Sequence, residues 1–332
     1  MAGTVRVGTC SFADEALTKS WYPRGIRTGE QRLRYYAERF DTVEIDSTYY
    51  ALPFAERTER WADAVPPDFV FHVKAFAPMT RHPVRLEQLP PDLRDAVEVD
   101  DRGRVERVPR DVRDEVFARF HAALEPLRRA GKLGGILMQF PPYIVPRPES
   151  IADLGWVKEA LRGDEMLVEF RHASWLDDGQ RERTLAVLEE LGAAYVAVDA
   201  PRTGGRNVLP TVVAATTGTA YVRMHGRNAR TWNVRGGSAA DRFDYLYSED
   251  ELGEWVEPMR ELAGTSEVAY VLFNTNARSR PEQAKRDFAS STALPPVEPG
   301  EIAQGPANAE MMRRLLRDGG VPVTEPPSIL PL

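Results

Sequence analysis

Polar residues recur in pairs at a spacing of two along this 332-residue chain: Glu44 with Asp46, His72 with Lys74, Glu169 with Arg171, Arg223 with His225, and Asn274 with Asn276. The residues between and before them are mostly apolar: Val43 and Ile45, Phe71 and Val73, Val168 and Phe170, Val222 and Met224. A period of two is that of an extended strand, so each polar pair shares one face and the apolar residues share the other. Taking a charge out of water without a partner costs several kcal/mol even after relaxation. A fold that repeats this on four strands either neutralises the charges against one another or offers them to a ligand. Glu169 with Arg171 or Lys74 would make such an internal ion pair. The recurrence favours a site.

The chemistry of the site follows from its charges. Lys74, Arg171, Arg223, His225 and Arg227 stand against Glu44, Asp46, Glu169 and Asp199, with Gln139 and Asn274 also at strand ends. Forked guanidinium donors in a mixed-charge setting suit a phosphate or carboxylate. Lysines number five against 38 arginines, so one placed at a strand end carries more weight than an arginine. The assignment expected is that Lys74, Arg171, Arg223 and Arg227 hold an anion, with Glu44 or Glu169 as general base and His225 as acid. The segment HGRN, His225 to Asn228, lies where barrels often hold phosphate. The five histidines include no His-x-x-x-His or His-Glu-x-x-His, so no zinc site is expected. No cofactor is required; Mg²⁺ or Mn²⁺ held by Glu44, Asp46, Glu169 and Asp199 is the oxygen-rich alternative. Cys10 reads as a small buried thiol rather than a nucleophile, and no Gly-x-Ser-x-Gly elbow is present.

Such pairs need elements that point them at one place. Strand patterns run over Val5–Thr9, Thr42–Asp46, Phe69–Lys74, Gly134–Gln139, Met166–Arg171, Ala194–Asp199, Ala220–His225 and Val268–Asn274. Helical patterns lie between most of them: a capping box at Thr28–Gln31 leading into Leu33, Tyr36 and Phe40; a stripe from Val112 to Leu127 ended by Gly131; Leu185, Leu188 and Leu191 ended by Gly192; and Pro281–Ala289. Eight strands alternating with helices predict a (β/α)8 TIM-type barrel, irregular after strand six, where Pro201–Thr219 is rich in Gly, Pro and Thr. A doubly wound sheet is the runner-up, and the first strand lacks its Gly-x-Gly-x-x-Gly. The barrel is expected to span 1–290. An insertion at about 78–110 carries a hairpin around Asp101-Arg-Gly103, as a lid or a decoration, and a Pro-rich extension at 291–332 carries a short helix near Met311–Leu316.

Composition limits the partners. A net charge of −7 argues against nucleic acid or anionic membrane, though a local basic patch overrides it. One cysteine excludes a disulfide framework. No apolar run reaches a membrane span, and MAGTVRVGTC enters a strand pattern directly, so a cytoplasmic protein is expected. Trp21, Tyr22, Tyr49, Tyr50, Trp175, Trp232, Tyr245 and Tyr247 crowd the expected rim, as a roof or as stacking surfaces beside Arg230. A nucleic-acid-binding or processing barrel and a non-catalytic small-molecule binder are the two alternatives to an enzyme acting on an anionic substrate.

GTCSF with WYP, RYYAERFDTVEIDSTYYALP, FVFHVKAF with MTRHP, LMQFPP, VEFRHASW, VDAP, YVRMHGRN and FNTNARSRPEQA occur in that order from Val5 to about Ala289. In these stretches the sequence resembles the YecE-like proteins, also called domain of unknown function 72. The resemblance implies a barrel, distantly similar to the endonuclease-type xylose-isomerase-like barrels, and assigns no activity. It adds His82, His172, Trp175, Gly226 and Asn228 to the residues that fall in family motifs, beside Glu44, Lys74, Gln139, Glu169, Arg171, Asp199, Arg223, His225, Arg227 and Asn274. Cys10 in GTCSF and Asn276 in FNTNAR depart from the family pattern.

Overall fold

The computed structural model describes residues 3–201, 209–232, 242–279 and 301–326. Eight strands close a parallel barrel: β1 Thr4–Thr9, β2 Thr42–Ile45, β3 Val70–Lys74, β4 Leu133–Gln139, β5 Met166–Glu169, β6 Ala194–Asp199, β7 Thr219–Met224 and β8 Val268–Phe273. They are hydrogen-bonded in chain order, and β8 pairs along all of β1. Each lies within two residues of the strand expected from sequence, because the pleat and the apolar alternation fix the same period.

The two faces separate as the alternation requires. Val43, Ile45, Phe71, Val73, Val168, Phe170, Val222 and Met224 belong to the large buried cluster between barrel and helices. Leu137, Leu167, Val196, Val198, Tyr221, Tyr270 and Leu272 form a second cluster along the axis. At about 25 cal/mol per Å² of apolar surface buried, both layers contribute substantially to stability. His72 faces this inner cluster, edge-on to the Tyr221 and Tyr270 rings at 4.8 and 4.3 Å. Gly134 makes room for it: a Cβ there would lie 2.4 Å from Val70 and 2.7 Å from His72. The β3–β4 register shifts between Phe71 and His72, beside this contact.

The Thr28–Gln31 capping box forms with both of its hydrogen bonds, and Gly131 and Gly192 close their helices in the left-handed region. The insertion departs from expectation. A turn does form at Asp100–Arg104, but the strand paired with Arg104–Val105 is Val84–Arg85, not the adjacent Val97–Val99. Residues 209–218 contain no helix, as the Gly-Pro-Thr composition suggested. The Pro281–Ala289 helix lies outside the described residues. The tail contributes more than a short helix. Gln304–Asp318 forms a helix against β1 and β8 and buries Met311, Met312 and Leu316. Its Gln304 and Asn308 side chains accept from the backbone N–H groups of Tyr245 and Tyr247, which fixes the loop after β7. No helix among the described residues is long and apolar enough to cross a membrane.

A candidate functional site at the barrel mouth

The inward polar residues converge. Arg223, on β7, donates from Nε and Nη2 to Glu44 of β2 at 3.0 and 2.6 Å, and from Nη1 to Glu169 of β5. Tyr221 adds a hydrogen bond to Glu44 at 3.0 Å. Glu169 also accepts from Gln139 at 2.8 Å, pairs with Arg171, and lies 3.2 Å from His225 Nε2. Asn274 Nδ2 stands 3.0 Å from His225 Nδ1. Nε2 lies 3.2 Å from both Glu169 Oε1 and Arg171 Nη2; with Nδ1 accepting from Asn274, a neutral ring carries its proton on Nε2 toward Glu169. Burial favours the neutral acid of Glu169, but Arg171, Arg223 and His225 outweigh it and hold the carboxylate well below its usual range. Burial, and after it Arg171, pushes His225 down to about 3. Glu44, Glu169, Arg223 and His225 are each no more than 1% exposed.

This geometry corrects the roles expected of them. Glu44 and Glu169 have their oxygens committed to Arg223, Tyr221, Gln139 and Arg171, and neither reaches solvent. In this structure they hold Arg223 and Arg171 in place instead of facing open solvent, as an accessible base would. Arg223 is neutralised by two carboxylates and is not offered to an anion. His225 is neutral with both nitrogens engaged, so it is not a ready acid. For this part of the set, the internal ion-pair network describes what the strands build. Removing one member would leave an uncompensated buried charge, at a cost of about 3–5 kcal/mol.

Above the network the residues are less committed. Lys74 Nζ makes no hydrogen bond or ion pair with any described residue and lies 4.6 Å from the centre of the Tyr49 ring. Burial first, then Arg223, lowers its ammonium to about 8. Asp46 is raised to about 6 by burial, opposed by Lys74, and Asp14 is raised to about 7 by burial, with Asp46 adding to the effect. Arg171 keeps 15% of its side chain exposed. His82 packs on Tyr49 and accepts or donates at Thr80, and burial followed by Lys74 and Arg171 lowers it to about 3. Lys74, Arg171, His82, Asp46 and Tyr49 therefore share one region at the C-terminal ends of β2, β3 and β5.

Five expected site residues lie elsewhere. Asp199 points outward, because Val196 and Val198 hold the inner face of β6. It accepts from Tyr247 at 2.7 Å and Trp255 at 2.9 Å, and pairs with Arg227 at 2.7 Å under the helix Val256–Thr265. Arg227 is thereby taken from the anion-binding set. Trp175 is buried, stacked on Phe170 at 4.1 Å and bonded to the Ile144 carbonyl. His172 caps the turn at Ser174. Asn228 bonds the Asp244 carbonyl and accepts from Arg230 N. Asp199 also leaves the oxygen-rich metal set, and no cluster of His, Cys, Asp and Glu suited to a metal occurs among the described residues. The rim aromatics mostly roof the barrel: Trp21, Tyr22, Trp232 and Tyr247 are buried, while Tyr50 stays 58% exposed. Asp14, which sequence reasoning did not single out, caps the helix Glu15–Ser20 by accepting from Leu17 N at 2.8 Å.

A closed parallel (β/α)8 barrel with its inward polar residues gathered at the strand C-termini defines the class: a TIM-type barrel. Within it, the chain belongs to the family described as "Protein of unknown function DUF72", whose model matches residues 6–308. It is 32% identical over 252 residues to the UPF0759 protein YunF of Bacillus subtilis, an alignment covering 75% of this chain and 82% of that one. The UPF0759 protein YecE of Escherichia coli O157:H7 is 27% identical over 180 residues, 54% of this chain and 56% of that one. A solved DUF72 family protein from Thermotoga maritima superposes with a TM-score of 0.69 at 28% identity, covering 95% and 99% of the two chains. One from Enterococcus faecalis, at 22% identity, covers 95% and 96% with a TM-score of 0.70 and shares the fold.

Proposed function

We propose that the barrel mouth binds a small anionic molecule and acts on it by proton transfer, with Lys74 as the central group. The observation that carries this reading is the Lys74 ammonium, part-buried at the end of β3 and without an ion-pair partner among the described residues. A part-buried cation with no counter-charge loses some of its hydration, and an anion at the mouth offsets that loss. Arg171, partly exposed and anchored on Glu169, supplies a second donor in a fixed orientation. Lys74 near 8 and Asp46 near 6 are tuned toward the pH at which a general acid or base works best. The buried network below holds Arg171 and the floor of the mouth in place.

The test is calorimetric binding of a panel of phosphomonoesters and small carboxylates to the full chain, the Lys74→Ala variant and the Glu44→Gln variant. At least one compound should bind the parent and lose about tenfold or more in affinity with Lys74→Ala. Full retention of affinity in that variant contradicts the proposal. Glu44→Gln should act chiefly on stability. A non-catalytic binder would share the binding and show no turnover of the same compound.

A further inference from the structure

A second concave region opens beside the mouth. The turn Pro78–His82, the segment Glu106–Arg113 and Tyr143–Ile144 enclose a cleft of about 700 Å³. Four arginines line it: Arg81, Arg107, Arg110 and Arg113. Behind them a single buried carboxylate, Asp153, meets three of the four, Arg113 at 3.0 Å, Arg81 at 3.2 Å and Arg110 at 3.9 Å. Its two oxygens are committed to Arg113, which is 4% exposed and whose Nε still has no partner. Arg81 Nε shares the Oδ2 atom with Arg113, and Arg110 reaches the carboxylate only at its edge. Arg107 pairs with none of the described residues. Glu106 is the one acidic residue on the lining, and its side chain is 63% exposed. Four guanidinium groups against Glu106 and Asp153 leave two positive charges uncancelled, in a chain whose overall charge is −7.

The donors are also preset. The Arg110 and Arg113 guanidinium groups both lie over the Trp156 ring, at 3.6 and 4.3 Å from its centre, which restricts their orientation. Arg81 is a non-glycine residue in the left-handed region, at φ 66°, and the Tyr143 hydroxyl donates to its carbonyl. That conformation costs about 1 kcal/mol, and it aims the side chain at Asp153 and the cleft wall.

We propose that this cleft is a binding site for a phosphate-class dianion, separate from the Lys74 mouth. Several planar forked donors along one concave wall suit the oxygens of a tetrahedral phosphate group. His82 lines the cleft and also feels Lys74 and Arg171, so the two regions adjoin. Inorganic phosphate is the probe, titrated calorimetrically at low ionic strength into the parent, the Arg107→Ala/Arg110→Ala double variant and Lys74→Ala. Both arginines are exposed, so the double variant keeps the fold. The parent should bind, the double variant should lose about tenfold or more in affinity at the cleft, and Lys74→Ala should keep the phosphate site that the double variant lacks, whatever it loses at the mouth. No binding to the parent at about 10 mM phosphate, or equal binding by parent and double variant, overturns the cleft site. Loss in Lys74→Ala with retention in the double variant would place phosphate at the mouth instead, against this inference and in favour of the mouth proposal.

Discussion

His72 shows what the barrel axis does to a titratable residue. Both of its ring nitrogens are buried with no partner, and burial lowers it to about 3. The unfolded chain takes up a proton below about 6.5 that the folded state refuses. Folded stability therefore rises with pH between about 3 and 6.5, by up to about 1.4 kcal/mol per pH unit for one such group. Replacing His72 with Leu removes that term. Denaturant unfolding should show the His72→Leu substitution to be more favourable at pH 5 than at pH 8, by about 2 kcal/mol; a pH-independent effect would mean that His72 protonates inside the fold. At this scale the sequence conveyed much. The i, i+2 pairing of Glu44, Lys74, Glu169, Arg171, Arg223 and His225 with apolar neighbours indicated that they share the inner face. It did not show which partner each would take. The Arg223 clamp joins residues more than 50 and nearly 180 positions away, and nothing local encodes that choice.

Strands and turns explain where the reading of phase failed. Ala194 to Val198 is apolar on both faces, as a strand covered on both sides must be, so alternation gives Asp199 no direction. Polarity alone suggested the axis, while the pleat sends it outward to Tyr247 and Trp255. Trp175 and His172 lie past the end of β5, where a 3-10 turn replaces the pleat. The arginine cleft was legible in principle, since Arg81, Arg107, Arg110 and Arg113 bracket the insertion, but no periodicity orients them. Gly226 carries the turn that separates His225 from Arg227. It has φ +83°, donates to the Tyr247 hydroxyl at 2.8 Å, and a Cβ there would sit 2.4 Å from Tyr245. Gly226→Ala should lower stability by about 2 kcal/mol or more, seen as a reduced midpoint in thermal unfolding. An unchanged midpoint would show that the loop after β7 is free to move.

The whole molecule has an acidic overall charge with a basic lining at one end of the barrel, from Lys74 and Arg171 to the arginine cleft. Tyr50 and Tyr143, exposed on loops after β2 and β4, lie toward that end. Such a surface attracts small anions locally, while the net charge repels extended polyanions at longer range. Labelled single-stranded DNA should therefore show no saturable anisotropy change at physiological ionic strength. Tight binding that weakens steeply with salt would favour the nucleic-acid alternative. The proposed chemistry of the molecule rests on the state of one amine. Lysine labelled with ¹³C at Cε gives at most five signals from this chain, and Lys74→Arg identifies the one that matters. Its NMR titration should have a midpoint near 8, set by burial and Arg223, and the midpoint should rise when an anion binds, because an opposite charge favours the ammonium. A midpoint near the usual 10.4, unmoved by any anion that binds the protein, would contradict the account.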